Sequence, residues 1–300
     1  MKNVNPVLIS GEITVETTLS VENFPIPYHS VQYPFFQMNS SVAGVGVNQG
    51  AAYRVLERNT KLLGMIGQDL RGQMVLSGLA ELGADPRFIT QNLTQTTQSL
   101  ILYDPTGKRM IWNDLKNIQE TPYPQDLFLE AVKDCDAAVL CNMNFNRPLL
   151  KLARDRGVLV VTDVHVLSDP VDSYNQDFMA AADILFVSNE HFPGREKEFA
   201  GELIKKHGFR LLVIGMGDQG ALVWDRSREL WHHSLAPQLR PVVNTVGAGD
   251  SLSACFVDGW LSGYSPEKAL DRACHFASWK VGARGAAEGF LSRSELEKYL

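Results

Sequence analysis

Cysteine is scarce in this chain, and the four that occur form no C-x-x-C pair. Cys135, Cys141, Cys255 and Cys274 lie in apolar or helical surroundings, so we expect reduced, mostly buried thiols and no disulfide framework. The seven histidines include one adjacent pair, at positions 232 and 233, but no carboxylate or cysteine stands at ligand spacing beside it. We therefore predict no metal ion held by the protein itself.

Long basic runs and long apolar runs are also missing. The net charge of -6 comes without any basic cluster, so nothing predicts a surface for nucleic acid or for an anionic membrane. No apolar run approaches the roughly 20 residues that span a bilayer, and one lysine with a short apolar stretch before Gly11 does not make a signal peptide. We expect a cytoplasmic protein whose partner is a small molecule.

The hydrophobic content of 45% is enough for a full core, and we predict one α/β domain over residues 1–300. No repeat or low-complexity tract divides the chain, and residues 25–34 indicate an irregular loop. From residue 136 onward, short apolar runs alternate with helical segments, at residues 137–140, 158–161, 184–187 and 211–214. Such runs are typical of parallel strands covered on both faces, so the sequence predicts a doubly wound, mainly parallel sheet flanked by helices.

The first third of the chain has a different pattern. Residues 13–19 and 97–103 alternate apolar and polar side chains, and the second run passes through the turn signal DPTG into residues 109–112. This predicts a β-hairpin in a small sheet with one face open to solvent or ligand.

The segment VNTVGAGD, residues 243–250, combines a glycine turn, a carboxylate and the start of a helix. Gly247 and Gly249 lack a β-carbon, so with Ala248 between them their amides can converge on an anion. Asp250 falls at the helix start, where the helix dipole favours the charged carboxylate, and we expect it to be ionised near neutral pH. An anion hole beside a carboxylate suits phosphoryl transfer, with Asp250 as general base, although a helix-capping turn would give the same short pattern.

The sequence NTVGAGD resembles the Asp-Thr-x-Gly-Ala-Gly-Asp signature of the ribokinase-like (PfkB) carbohydrate kinases and departs from it at Asn244. Further segments resemble that family in the same order along the chain. The resemblance implies a ribokinase-like fold whose small sheet is a substrate lid, formed by residues 12–38 and 96–113. In many members the first aspartate helps to ligate a monovalent cation, so Asn244 predicts little dependence on K⁺.

Residues 43–50, AGVGVNQG, form a second glycine-rich segment that opens a helix. Alone it fits a variant of the dinucleotide-binding fingerprint, but that motif follows a strand, and we do not predict one at residues 38–41. It resembles instead the family segment Gly-Gly-x-Gly-x-Asn-Gln. The resemblance implies that Gly44, Gly46 and Asn48 contact hydroxyl groups of the acceptor.

The segment GEITVE, residues 11–16, occupies the place of the family's Gly-x-x-Asn-x-Asp. Alternation puts Glu12, Thr14 and Glu16 on one strand face, which from the residues alone is either a solvated face or a hydroxyl-binding one. The resemblance implies that Thr14 and Glu16 bind the acceptor, with Glu16 holding two hydroxyls.

The nucleotide side is implied by resemblance alone. Asn189 belongs to a segment like the family's Asn-x-x-Glu element, in which Phe192 stands at the glutamate position. Gly217 and Gly220 resemble the Gly-x-x-Gly turn beside the nucleotide, and Gly285 lies in a segment like the loop that closes over adenine. We assign these four candidates and Asn244 to cofactor binding.

Together these features predict an ATP-dependent kinase for a hydroxymethyl group of a sugar or ribosyl compound, with Mg²⁺ arriving on ATP. A nucleoside, pseudouridine or a keto-deoxy sugar acid is an alternative acceptor, and a homodimer through the lid is possible by resemblance. A sugar-sensing protein without turnover is the alternative of another class, motivated by the departures at Glu16, Val45, Phe192 and Asn244. The block GDSL at residues 249–252 spells a hydrolase motif, but it lies too late in the chain and lacks a following Asp-x-x-His.

Overall fold

The computed structural model describes residues 5–299, so the predicted 1–300 domain is covered except for its first four residues and its last. The expected absence of a signal peptide rests partly on those four residues, which lie outside the described part of the chain. The strands are β1 Val7–Ser10, β2 Thr14–Ser20, β3 Met38–Ala43, β4 Thr60–Gly67, β5 Ile89–Leu93, β6 Gln98–Tyr103, β7 Arg109–Asp114, β8 Ala137–Leu140, β9 Leu159–Val166, β10 Ile184–Ser188, β11 Leu211–Gly215, β12 Ala221–Asp225 and β13 Leu230–Ser234. The helices are α1 Val45–Val55, α2 Leu70–Glu81, α3 Gln125–Val132, α4 Arg147–Asp155, α5 Gln176–Ala181, α6 Glu196–Lys206, α7 Ala248–Leu261, α8 Pro266–Lys280 and α9 Arg293–Leu296.

Nine strands form the main sheet in the order β13-β12-β11-β10-β9-β8-β1-β4-β5. The pairs from β5 to β11 are parallel, and only β12 and β13 join antiparallel at one edge. Side chains alternate between the two faces, so that Leu8 packs with α3 to α6 while Val7 and Ile9 pack with α1, α2, α7 and α8. The predicted doubly wound, mainly parallel sheet is confirmed.

A separate four-stranded sheet has the order β3-β2-β6-β7 and contains the predicted hairpin between β6 and β7. The prediction that residues 38–41 are not a strand is wrong, because they begin β3, which pairs antiparallel with β2. Its polar sequence, Met-Asn-Ser-Ser, lacks the apolar alternation of a half-buried strand, and its first three residues are exposed at the sheet edge. The dinucleotide-binding motif follows a strand of a parallel sheet, whereas β3 belongs to the small sheet. The presence of β3 therefore does not support the dinucleotide-binding interpretation of residues 43–50.

Helix starts follow the local capping chemistry. Asp69 caps α2 by accepting a hydrogen bond from the Gly72 amide at 2.8 Å, and Ser265 caps α8 ahead of Pro266. No helix within residues 5–299 is long and apolar enough to cross a membrane. In parallel α/β sheets, ligands bind at the carboxyl ends of the strands, and the candidate residues gather at that edge.

Candidate active site

The glycine turn at the start of α7 packs closely against the backbone of Ala286. Gly247 precedes the helix with a φ of 79°, in the left-handed region, and a β-carbon there would meet the Ala286 carbonyl oxygen at 2.6 Å. The first intrahelical bond runs from the Ser251 amide to the Gly247 carbonyl at 3.0 Å. The amides of Gly249 and Asp250 therefore have no intrahelical acceptor and can bind an anion at the helix N-terminus.

Asp250 lies in the first turn of α7 and faces α1. The Asn48 side-chain amide donates a hydrogen bond from Nδ2 to Asp250 Oδ2 at 2.7 Å, and both side chains are buried. The expected lowering of the Asp250 pKa is wrong. Burial raises it, and the hydrogen bond from Asn48 and the charges of His165 and Lys280 only partly oppose burial. The reason is that desolvation disfavours the carboxylate more strongly than the helix N-terminus favours it.

Three side chains of the N-terminal strand region, together with Asn48, form a cluster of buried polar groups beside Asp250, which we call the acceptor pocket. Glu12, Thr14 and Glu16 are at most 6% exposed, so the solvated-face interpretation does not apply to them. Glu12 Oε1, Thr14 Oγ1, Glu16 Oε1 and Asn48 Oδ1 have no hydrogen-bond partner within the chain. Buried polar atoms normally find partners, so this pocket is complementary to a ligand that supplies hydrogen-bond donors.

Burial also raises the pKa of both glutamates of this pocket. The pKa of Glu16 rises to about 7, mainly through burial, with the Asp250 and Glu12 charges adding to the rise and Lys280 opposing it. The pKa of Glu12 rises for the same reason, while the hydrogen bond that Asn113 donates to its carboxylate opposes the rise. A ligand donating hydrogen bonds would favour the charged carboxylates again.

Gly44 and Gly46 build the backbone of the pocket. Gly44 has a φ of 96°, and a β-carbon on it would meet the Glu12 carbonyl oxygen at 2.5 Å. The Gly46 amide donates to the same carbonyl oxygen at 3.1 Å, so it is not free to bind an acceptor hydroxyl. Both glycines thus allow α1 to approach the segment that carries Glu12.

Asn189 lies at the carboxyl end of β10, where its Nδ2 donates to Glu196 Oε1 at 2.7 Å. Phe192 is buried and stacks on Phe199 with ring centroids 3.8 Å apart, so it belongs to the core. Burial tends to raise the pKa of Glu196, but hydrogen bonds from Asn189 and from backbone amides lower it below the usual range. The sequence pattern missed Glu196 because it follows Asn189 by seven positions instead of three.

The other nucleotide-side candidates occupy three segments, of which the second and third are in contact. Gly217 begins a short 3-10 turn between the antiparallel strands β11 and β12, and Gly220 follows it. Asn244 is fully buried, and its Nδ2 donates to the Arg284 carbonyl oxygen at 2.8 Å while its Oδ1 accepts from the Val246 amide at 3.0 Å. The neighbouring Gly285 amide donates to Glu288 Oε1 at 2.7 Å. The Asn244 side chain therefore bridges the glycine turn and the segment after α8.

The small sheet contacts this site through two side chains that sequence reasoning missed. Asn113 Nδ2 of β7 donates to Glu12 Oε2 at 2.8 Å, and an Arg109 guanidinium nitrogen donates to Thr245 Oγ1 at 2.9 Å. Neither residue stands in a recognisable motif, because each acts across a contact between distant segments. Across residues 5–299, no three His, Cys, Asp or Glu side chains are grouped as a metal-binding set.

The main sheet brings three features together at its carboxyl edge: a glycine turn, a buried carboxylate and a cluster of polar atoms without hydrogen-bond partners. This combination is typical of an enzyme that transfers a group to a small hydroxylated molecule. The model of the pfkB family of carbohydrate kinases matches residues 5–293, and the chain belongs to this family. The resemblance drawn from the motifs is thereby confirmed. Homologues in this family are phosphotransferases with a hydroxyl acceptor.

Curated relatives and solved structures agree over nearly the whole chain. Ribokinase of Arabidopsis thaliana is 23% identical over 98% of this chain and 81% of its own length, and the ATP-dependent ribose-1-phosphate kinase of Halopiger xanaduensis is 25% identical over 93% of both. The structure of a microbiome-derived acarbose kinase superposes with a TM-score of 0.88 at 25% identity, covering 99% of each chain. Arabidopsis ribokinase complexed with ribose and ATP superposes with a TM-score of 0.82 at 20% identity, covering 99% of this chain and 98% of its own.

Proposed function

We propose that this chain is an ATP-dependent kinase that phosphorylates a hydroxymethyl group of a sugar or ribosyl compound. The observation that carries the proposal is the position of Asp250, which lies at the free amides of α7 and is bonded to Asn48 at the edge of the buried pocket. In the proposed reaction the acceptor oxygen forms a bond to the γ-phosphorus of ATP, the bond from that phosphorus to the β,γ-bridging oxygen breaks, and ADP leaves. The hydroxyl proton passes to the Asp250 carboxylate.

The residues of the chain divide between the two substrates. Thr14, Glu16 and Asn48 bind acceptor hydroxyls, and the amides of the segment from Gly247 to Asp250 bind the transferring phosphoryl group. Asn189, Gly217, Gly220 and Gly285 lie on the nucleotide side, and Asn244 supports the turn between the two. Contacts from Asn113 and Arg109 support a lid role for the small sheet, which would exclude water from the reacting atoms.

Mg²⁺ neutralises phosphate charge when it is bound with ATP, and it keeps several of its waters. The Asn189–Glu196 pair would suit such a hydrated ion. The Glu196 carboxylate, whose pKa is lowered, is bonded to Asn189 at the carboxyl end of β10 and would accept a hydrogen bond from a water on the metal.

The chemistry of the pocket favours a neutral, hydroxyl-rich acceptor over a keto-deoxy sugar acid. The unpartnered oxygens of Glu12, Glu16 and Asn48 are acceptors that require donors. The charged carboxylates of Glu12, Glu16 and Asp250 would repel the carboxylate of a sugar acid. A sugar and a nucleoside both satisfy this requirement.

Phosphate transfer from Mg-ATP across a panel of sugars, nucleosides and sugar acids tests the function. We expect transfer to a neutral acceptor and its loss in Asp250→Asn. Tight sugar binding without any transfer would instead identify a sensor, and preferred transfer to an acid would reject the acceptor class while leaving the kinase.

The outer face of the small sheet supports a homodimer through the lid. Leu100 and Trp112 are paired across β6 and β7, and Met110 lies on the same face, with 41%, 49% and 43% of their surfaces exposed. Adjacent exposed apolar side chains mark an interaction surface, and we assign it to a second copy of the chain. Light scattering should give twice the chain mass for the wild type and a single chain mass for Trp112→Ser. A monomeric wild type would reject the assignment.

A further inference from the structure

Lys280, the last residue of α8, is the only lysine that is fully buried within residues 5–299. Its Nζ donates a hydrogen bond to the Val246 carbonyl oxygen, one residue before Gly247. A buried ammonium group is costly unless it is paired, so its position requires an electrostatic partner. The partners lie on other elements of the candidate active site.

Four charged residues act on the Lys280 ammonium. Glu16 of β2, Asp250 of α7 and Glu288 after α8 stabilise the ammonium, and the guanidinium of Arg240 opposes it. Burial outweighs this stabilisation and lowers the pKa of Lys280 to about 8, which still leaves most of the group charged at neutral pH. In return, the ammonium opposes the raised pKa values of Glu16 and Asp250.

A second contact restrains the same turn. Asn244 joins the Val246 amide to the Arg284 carbonyl oxygen, while Lys280 holds the Val246 carbonyl oxygen. Both polar groups of Val246 are therefore bonded to side chains, and this fixes the orientation of the peptide that leads into the glycine turn. Precise orientation matters there, because amides that stabilise charge in a transition state must already point at it.

We propose that Lys280 is a positioning residue that acts as a built-in cation, holding the turn before α7 in its anion-binding form and balancing the Glu16 and Asp250 carboxylates. This inference rests on the proposed kinase function. A tethered ammonium group supplies both the positive charge and the directional N–H donor, so no dissociable monovalent cation is needed at this point. The cost of the arrangement is a buried lysine that must remain protonated.

The test compares Lys280→Ala, which opens a cavity, with Lys280→Met, which keeps the length without the charge. Removing one preorganised electrostatic group costs about 10²–10³ in kcat, and we expect a loss of that order in both variants. Methylammonium should restore at least about tenfold to Lys280→Ala, because it replaces the lost charge-assisted hydrogen bond. It should not restore Lys280→Met, and tetramethylammonium, which has the charge but no N–H donor, should restore neither. Lys268→Ala on the exposed face of α8 is the matched control and should keep its kcat.

A pH profile separates this role from a purely structural one. Loss of the ammonium removes a positive charge that faces Asp250, so the acid limb of kcat/KM should move to higher pH in Lys280→Met. His165 and Asp163 of β9 and Glu16 of β2 also face Asp250 and remain unchanged in the variant. A folded variant with an unshifted acid limb and kcat within about twofold of wild type overturns the proposal. Two results with Lys280→Ala also overturn it: equal rescue by methylammonium and tetramethylammonium, and no rescue by either.

The wild type supplies an independent outcome if the variants do not fold. At fixed ionic strength its rate should be equal in K⁺ and in tetramethylammonium, and activation by K⁺ of about tenfold or more, corresponding to at least 1.4 kcal/mol, overturns the proposal. A wild type that transfers phosphate to no acceptor rejects the kinase function and this inference with it. An active wild type with unaffected Lys280 variants rejects this inference alone.

Discussion

Asn48 Nδ2 donates a hydrogen bond to Asp250 Oδ2 at 2.7 Å and so joins two residues that lie 202 positions apart. The bond leaves Asp250 Oδ1 available to accept a proton and orients the carboxylate from the α1 side. It also opposes the rise in the pKa of Asp250 that burial causes. The same contact therefore bears on both the direction and the proton affinity of the proposed base.

Replacing Asp250 with Asn should lower kcat by roughly 10²–10⁴, the usual contribution of general-base catalysis. The side chain keeps its shape, and its amide oxygen can still accept the hydrogen bond from Asn48, so acceptor binding should change little. Steady-state kinetics together with acceptor titration measure the two effects. A folded Asp250→Asn protein with near-wild-type turnover would remove Asp250 from the proposed reaction.

Glu16→Ala should raise the KM for the acceptor by about 10–100-fold, since it removes charge-assisted hydrogen bonds worth roughly 1.5–3 kcal/mol. The KM for ATP should stay close to that of the wild type, because the residue lies on the acceptor side. Glu22, an exposed glutamate beyond the end of β2, provides the control variant Glu22→Ala. An unchanged acceptor KM in Glu16→Ala would show that Glu16 does not bind the acceptor.

The pKa of Glu16 also predicts a pH-dependent stability. The folded protein holds this proton up to a pH of about 7, whereas the unfolded chain releases it near 4.5. The contribution to stability is therefore complete below pH 4.5 and is lost as the pH rises through about 7. At roughly 1.4 kcal/mol per pH unit, this window amounts to about 3 kcal/mol.

Urea unfolding of the ligand-free protein at several pH values measures this contribution. Glu16→Gln cannot titrate, so between pH 4.5 and 7 its free energy of unfolding should fall by about 3 kcal/mol less than that of the wild type. Glu12 and Asp250 titrate in both proteins, so the difference between the two curves measures the Glu16 proton together with its coupling to these two carboxylates. Parallel curves for the two proteins would contradict the assignment of this proton to Glu16.

Two glycines of the turn should respond differently to alanine. Gly247→Ala places a β-carbon at a φ of 79° and 2.6 Å from the Ala286 carbonyl oxygen, so it should destabilise the fold by at least about 1–2 kcal/mol. Gly249→Ala meets no atom within 4 Å and lies inside α7, so its stability should be equal or higher. Thermal unfolding distinguishes them, and equal melting temperatures would show that the turn relaxes without cost.

Asn244→Asp should create a requirement for a monovalent cation. The aspartate cannot donate to the Arg284 carbonyl oxygen, so two oxygen atoms would face each other across the present 2.8 Å contact. A bound K⁺ would relieve that repulsion, with a Coulomb term of about 1 kcal/mol in water and about 4 at an effective dielectric of 20. We expect the wild type to be indifferent to K⁺ and the variant to be activated by it. A wild type that needs K⁺ would contradict this prediction.

Local patterns determined much of this protein. The apolar runs of β8 to β11 predict a buried parallel sheet because strands covered on both faces leave no polar alternation, and the glycine turn before Asp250 predicts an anion site through backbone chemistry that is local to eight residues. The polar edge strand β3 was not predicted, because its sequence has no apolar alternation. It is a strand because it pairs with β2.

The tertiary structure decided the properties that depend on burial and on distant partners. The pKa of Asp250 is raised because several elements shield its carboxylate from water, an effect that the local helix dipole does not predict. The pairing of Asn189 with Glu196, of Asn113 with Glu12 and of Lys280 with Val246 depends on how the segments pack. Sequence patterns record which groups the chain carries, whereas the electrostatic energy of each group depends on the water and charges that packing removes or brings near it.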